Sequence, residues 1–120
     1  MKVAVLGASP KPERYANQAV RLLREFGHDV IPVTPAHTEV AGVPAAPNLE
    51  ALPEGGVDTV TVYVSPAHSA TMTSALLRLR PRRVIFNPGA ENPALAEALR
   101  HAGIEVEDAC TLVLLRLGAF

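Results

Sequence analysis

An open, doubly wound α/β domain on a mainly parallel sheet is the fold this sequence predicts. Three observations carry the prediction. Short apolar runs rich in Val and Ile alternate with segments of helical period along the chain. The runs are apolar almost throughout, as strands buried on both faces are. The segments between them are long enough for crossover helices, and right-handed crossovers place helices on both faces of the sheet.

The first strand is Lys2 to Leu6, stopping at Gly7-Ala8-Ser9-Pro10. Ala19, Leu22, Leu23 and Phe26 then recur at helical spacing, and Gly27 stands where a helix end tolerates positive φ. Asp29 to Val33 reads as the second strand, closed by Thr34-Pro35. A Pro/Ala-rich connection follows, with a short strand predicted near Val40 to Val43 and a helical turn near Leu49 to Leu52. Asp58 to Val64 is the best-marked strand, being rich in Val and Thr. Pro66 opens a helix whose Met72, Leu76 and Leu79 share one face, and Arg83 to Phe86 is the next strand. Asn92 caps a helix with Pro93 at its first position, where the missing N–H costs nothing. Leu95, Ala96, Leu99 and Ala102 are its inward face, Gly103 ends it, and Ile104 to Val106 is a last short strand. The apolar tail from Cys110 to Phe120 is expected to pack as a final helix.

Composition narrows the function. At 120 residues the chain is expected to form a single domain over 1–120, and 48% hydrophobic residues supply a real core. Eleven Lys and Arg against twelve Asp and Glu leave a net charge of -1, without the basic excess of a nucleic-acid binder. Aromatics at 4% offer few stacking platforms for single strands. No apolar run approaches the roughly 20 residues that span a bilayer, so no membrane partner is expected. The run after Lys2 is too short for a signal peptide, and one cysteine permits no internal disulfide. Both fit a cytoplasmic protein.

In sheets of this kind ligands bind beyond the carboxyl ends of the strands. Four loops there share one chemistry: Gly7-Ala8-Ser9-Pro10, Thr34-Pro35, Ser65-Pro66 and Asn87-Pro88-Gly89. Small residues let backbone approach a ligand, and hydroxyls donate to phosphate oxygens. The first loop runs into a helix N-terminus near Tyr15 to Asn17, a natural anion site, with Lys11 and Arg14 adding charge. The pattern points to a nucleotide-like small-molecule ligand. An NAD site would show G-x-G-x-x-G and an acidic residue ending the second strand. Here Ser9 and Pro12 hold the later glycine positions, and Val33-Thr34-Pro35 carries no carboxylate. A G-x-x-x-x-G-K-[ST] phosphate loop is also absent.

Gly7-Ala8-Ser9 followed by Pro12-Glu13-Arg14-Tyr15-Ala16-Asn17 resembles the G-A-S-x-x-P-x-R-x-S-N opening of the small bacterial CoA-binding domain proteins. Ile31-Pro32-Val33-Thr34-Pro35 is similar to that family's I-P-V-N-P, and Val40-Ala41-Gly42 to its following turn. Asp58 to Val64 stands where the family has D-x-V-x-V-F-R, and Asn87-Pro88-Gly89, Ala102-Gly103-Ile104 and Asp108-Ala109-Cys110 resemble later segments. Thr34-Pro35 and Tyr63-Val64-Ser65-Pro66 are also similar to the CoA-binding domain of the succinyl-CoA synthetase α subunit. The resemblance implies a Rossmann-like fold and coenzyme A, or an acyl-CoA, as ligand. It implies contacts from Gly7, Ser9, Arg14, Tyr15, Asn17, Thr34, Pro35, Tyr63, Ser65 and Pro66, with Asn87 and Gly89 as further candidates, and Ala8 and Lys11 lie in the same first loop. Val64 replaces an Arg common in the family, Phe86-Asn87 a Trp-x-Gln, and Leu114 a Glu.

The remaining polar residues carry less chemistry. Arg78, Arg80, Arg82 and Arg83 precede a strand and are expected to form a solvated rim opposite the site. His37 and His68 follow site loops, though surface positions are the commoner fate of such histidines. His28 and His101 sit near helix ends, where a cation suits the dipole. Cys110, beside the acidic Glu107 and Asp108, is expected to be a small buried packing residue; a mixed disulfide with the CoA thiol stays open as a third reading. The four His and one Cys show no metal-ligand spacing, and the carboxylates form no catalytic pair. A CoA-binding module with a regulatory or carrier role is therefore expected. The alternatives are a nucleotide-dependent oxidoreductase or acyl-CoA-processing enzyme, and an interaction module whose apolar tail docks on a second copy or a partner.

Overall fold

The computed structural model describes all residues, 1–120. Five parallel strands form one sheet: β1 (Lys2–Leu6), β2 (Asp29–Val33), β5 (Thr59–Val62), β6 (Arg83–Phe86) and β7 (Glu105–Asp108). Their order is β2-β1-β5-β6-β7, so the chain leaves β1 toward one edge and later resumes on its other side. The switch falls between β1 and β5, where crevices open in doubly wound sheets. Helix α1 (Tyr15–Glu25) and the terminal α5 (Thr111–Arg116) cover one face. The other carries α2 (Pro66–Ser69), α3 (Thr73–Leu79) and α4 (Pro93–His101). This is the Rossmann-like α/β architecture expected of the sequence.

Strand alternation decides which core each residue enters. Val3 and Val5 pack beneath α1 and α5, while Ala4 and Leu6 face the α3–α4 side with Val60, Val62, Val84 and Phe86. At roughly 1.5–3 kcal/mol per fully buried large aliphatic side chain, these two layers are the main stabilising term. Thr59 and Thr61 interrupt the apolar pattern of β5 on the α5 side, and both hydroxyls are hydrogen-bonded. Pro32 is tolerated because β2 is an edge strand, where its outward carbonyl accepts from Ala46 N–H at 2.8 Å.

Several boundaries differ from the sequence reading. The segment at Val40 to Val43 is a hairpin of β3 (Glu39–Val40) and β4 (Val43–Pro44) rather than one strand. Its turn lies at Ala41-Gly42, both at positive φ as a tight hairpin turn demands. Strand β5 stops at Val62, and β7 starts at Glu105 and runs to Asp108. The helix from Pro66 is broken: a 3-10 turn at Ala70–Met72 separates α2 from α3. The buried stripe of α1 is Ala16, Ala19, Val20 and Leu23, so Phe26 falls outside it and is exposed. Ala102, past the end of α4, is likewise exposed.

The arginine stretch is not uniformly solvated. Arg82 is exposed and pairs with Asp58 at 3.2 Å and Glu105 at 3.4 Å. Arg83 is buried, donating to Thr59 Oγ1 at 3.3 Å with its guanidinium 4.5 Å from the Phe120 ring centre. Phe120 also meets His28 edge-on, which anchors the tail to the amino end of the sheet. Burial first, then the positive N-terminus and Arg83, lower the His28 pKa, so His28 is not the helix-end cation expected. Leu112 and Leu115 turn inward, leaving Val113 and Leu117 exposed. No helix is long and apolar enough to cross a membrane.

Candidate functional site

The four loops marked in the sequence follow the carboxyl ends of β1, β2, β5 and β6, which are adjacent strands. Their meeting point is Gly7. Its N–H and that of Ala8 both reach the Val33 carbonyl, at 3.1 and 3.3 Å, tying the first loop to the end of β2. On the other side the loop presses on the segment just past β5: a Cβ added at Gly7 would lie 2.8 Å from Val64 Cγ1 and 3.2 Å from the Tyr63 carbonyl carbon. Gly7 also has φ +88°, so glycine is required there for conformation and for space.

A groove of about 520 Å³ opens beyond this junction. Gly7, Ala8, Ser9, Lys11 and Arg14 form one wall, and Thr34, Ala36 and His37 form the other. Tyr15, Tyr63 and Pro88 complete its lining. The N-terminus of α1 opens into this groove through Arg14, Tyr15 and Ala16. Ser65 caps α2 and Asn92 caps α4, but α1 has Arg14 at its cap position, with no side-chain hydrogen bond and no acidic residue in its first turn. The N–H groups of Tyr15, Ala16 and Asn17 have no acceptor within the protein. A helix start with no acid in its first turn, where Lys11 and Arg14 outnumber Glu13 in the loop before it, favours a negatively charged guest.

Two further cavities adjoin the groove. One of about 300 Å³ lies across the Gly7 ridge, between Pro35, Pro47, Asn48, Val64, His68 and Met72. The other, about 290 Å³, shares Tyr15, Tyr63 and Pro88 with the groove and continues to Asn87, Cys110, Leu112 and Arg116. The Tyr63 hydroxyl is fully buried and lacks a hydrogen-bond partner. Burial is the largest influence on it and pushes its pKa up to about 12. The neighbouring Thr111 and Thr61 hydroxyls pull slightly the other way. They bond to each other at 2.7 Å, and Thr61 also accepts from Asn87, while the phenol itself makes no hydrogen bond.

A family model described as CoA binding domain matches residues 1–116. The chain belongs to this CoA-binding domain family. A solved crystal structure of an uncharacterized protein is 43% identical, with a TM-score of 0.92 over 99% of this chain and 97% of that one. Uncharacterized protein YneT of Bacillus subtilis is 32% identical over 62 residues, which is 52% of this chain and 45% of YneT. An ADP-forming acetate–CoA ligase I of Archaeoglobus fulgidus is 37% identical over 62 residues, again 52% of this chain but 9% of the ligase. The matched stretch is thus less than half of either curated relative.

Within this CoA-binding domain the sequence-marked residues divide by their hydrogen bonds. Gly7, Ala8, Ser9, Lys11, Arg14, Tyr15, Thr34 and Tyr63 line the groove, and Pro35 lines the cavity across the ridge. Asn17 is buried: its Nδ2 donates to the Ser9 carbonyl at 2.9 Å, and its Oδ1 accepts from Arg21 at 2.8 Å. It shapes the first loop from behind. Asn87 borders the third cavity, yet both ends of its amide are committed. It donates to Thr61 Oγ1 and the Val62 carbonyl and accepts from Thr111 N–H at 2.9 Å. Ser65 and Pro66 start α2, and Gly89 N–H is held by Glu91 at 2.8 Å; these three line none of the cavities described.

The structure adds residues the motifs did not mark. Ala36 lines the groove beside Pro88 of the marked Asn87-Pro88-Gly89 loop, and of the two histidines that follow site loops His37 lines the groove and His68 the cavity across the ridge. Pro47 and Asn48 reach the edge because Ala46 bridges to Val33 in parallel and returns the long connection to the end of β2. Nothing local announces that pairing. Cys110, expected to be buried, is half-buried and on a cavity wall.

Proposed function

We propose that this domain binds coenzyme A or an acyl-CoA along the carboxyl edge of its sheet, as a regulatory or carrier module. The observation that carries the reading is the α1 N-terminus, which lacks a cap and an acid, has free N–H groups, and stands beside Lys11 and Arg14 on a 520 Å³ groove. The diphosphate of CoA supplies the anion such a helix start is missing. Ser9 and the small Gly7–Ala8 segment line the same groove and leave room for it, and Thr34 and His37 face it from the β2 side. Tyr15, 70% exposed at the mouth, offers an aromatic surface to the rest of the ligand. Asn17 and Asn87 act from behind, by holding the loop and the start of α5. The family supports the choice of CoA among nucleotides. So does β2, which ends in Val33-Thr34-Pro35 with no carboxylate for the ribose of NAD.

Thermal melts with CoA, NAD, NADP and ATP at equal concentration test the reading. A ligand at about 100 times its Kd adds roughly 2.7 kcal/mol. Unfolding entropy scaled to 120 residues makes 1 kcal/mol worth about 4 °C, so CoA is expected to raise Tm by about 11 °C. The shift should shrink as salt rises, since the basic side chains are exposed. A shift with NAD equal to or larger than that with CoA refutes the assignment.

A further inference from the structure

The single cysteine of the chain stands on the wall of a cavity that opens from the candidate nucleotide groove. Its backbone is rigidly placed. The next residue, Thr111, gives its N–H to Asn87 at 2.9 Å and shares a hydroxyl hydrogen bond with Thr61 at 2.7 Å, fixing the start of α5 above β5 and β6. Cys110 itself is half-buried and not sealed in the core. Cys110 and Tyr63 are close enough that a thiolate there raises the Tyr63 pKa, behind burial and the Thr111 hydroxyl in size. The Tyr63 hydroxyl beside it is wholly buried and unpaired. Asn87 and Leu112 supply the rest of the lining, and Arg116 borders it.

The arrangement has a direction. The α1 N-terminus and Gly7 mark the β1 end of the edge, and Cys110 lies over β6, two strands away, a distance of about 10 Å. A ligand with a polyanionic head and a long arm ending in sulfur would lie along that line, head at α1 and sulfur at Cys110. We propose that Cys110 exchanges with CoA disulfide to hold CoA as a mixed disulfide, so that the redox state of the thiol pool sets how long CoA stays bound. This rests on the CoA reading above. In the step, the Cys110 thiol loses its proton to solvent and Sγ attacks one sulfur of CoA disulfide. A Cys110–CoA S–S bond forms, the original S–S bond breaks, and the departing sulfur leaves with the electron pair as CoA thiolate. Cys110 is oxidised as half of the CoA disulfide is reduced, and a second thiol reverses the exchange.

Intact mass spectrometry of the reduced protein, incubated separately with equal concentrations of CoA disulfide and cystamine, tests this, alongside calorimetric titration with desulfo-CoA. An adduct of one CoA less two hydrogens is expected, removable by reductant and forming at least tenfold faster than the cystamine adduct. Desulfo-CoA, which occupies the groove but cannot exchange, should slow that reaction and leave the cystamine rate far less affected. If desulfo-CoA titrates but CoA disulfide reacts no faster than cystamine, the exchange is overturned and the CoA reading stands. If neither CoA nor desulfo-CoA titrates, both fall together.

Discussion

Replacing Gly7 and Gly89 by alanine, singly, separates backbone conformation from close approach at the proposed site. The two glycines have nearly the same φ, +88° and +89°. An L-residue in that conformation costs roughly 1–2 kcal/mol, of which about 0.4–1 is offset because alanine restricts the unfolded chain. At Gly89 nothing lies within 4 Å of the added methyl group. The net loss for Gly89→Ala is therefore expected to be about 1 kcal/mol. At Gly7 the methyl meets Val64 Cγ1 at 2.8 Å, with the Tyr63 carbonyl carbon and Val64 N both at 3.2 Å. The valine methyl can rotate, whereas the two backbone atoms belong to the main chain leaving β5 and cannot. Overpacking of this kind adds about 1–3 kcal/mol, giving about 2–4 kcal/mol for Gly7→Ala. Urea denaturation with the m-value held common reads both losses directly. Val64→Ala in the Gly7→Ala background should recover only the side-chain share, as a double-mutant cycle would show. Equal losses at Gly7 and Gly89 would refute the argument that the first loop is pressed against the segment just past β5.

Three more expectations follow from named groups. Tyr63→Phe removes a buried hydroxyl with no partner, and unmet groups of this kind cost about 1–3 kcal/mol, so the variant should be about 1 kcal/mol more stable in denaturant; a loss of that size would mean the phenol is bonded. Arg14→Ala should leave Tm unchanged within a few degrees, since Arg14 is exposed and its side chain caps nothing, while weakening CoA binding by roughly tenfold in calorimetry. His28 is held below its ordinary 6.5 by burial first and then by the N-terminal and Arg83 charges. The unfolded chain consequently binds the proton first, and stability should fall as pH drops through 6.5 toward the folded pKa. His28→Gln should flatten that part of the profile, because Asp58, lowered from 3.8 when its Arg82 and Thr59 hydrogen bonds outweigh burial, gives up its contribution only at still lower pH.

The fold was legible because the signals that determine it are local. Val3-Ala4-Val5-Leu6 and Thr59-Val60-Thr61-Val62 are strands by composition, and Asn92-Pro93 starts a helix by capping chemistry alone. Even the uncapped start of α1 is written locally: Arg14 stands where Ser, Thr, Asp or Asn would close the helix, as Ser65 and Asn92 do elsewhere. Other features depend on partners distant in sequence. Asn17 reads as a ligand contact through the family resemblance, and Asn87 as a further candidate in a loop at a strand end. The amide of Asn17 is used up close by, on Ser9 and on Arg21 one helical turn on, whereas only the folded chain brings Thr61 and Thr111 to Asn87. Arg83 reads as solvated until Phe120, at the far end of the chain, covers it. Cys110 reads as core because cysteine is apolar and its neighbours are acidic. The Thr61–Thr111 and Asn87–Thr111 bonds hold the start of α5 in place, and Cys110, half-buried, lines a cavity beside it. The same buried amide that sequence reasoning assigned to the ligand therefore positions the one thiol placed to react with it, and Asn87→Ala should slow CoA disulfide exchange more than it weakens desulfo-CoA binding.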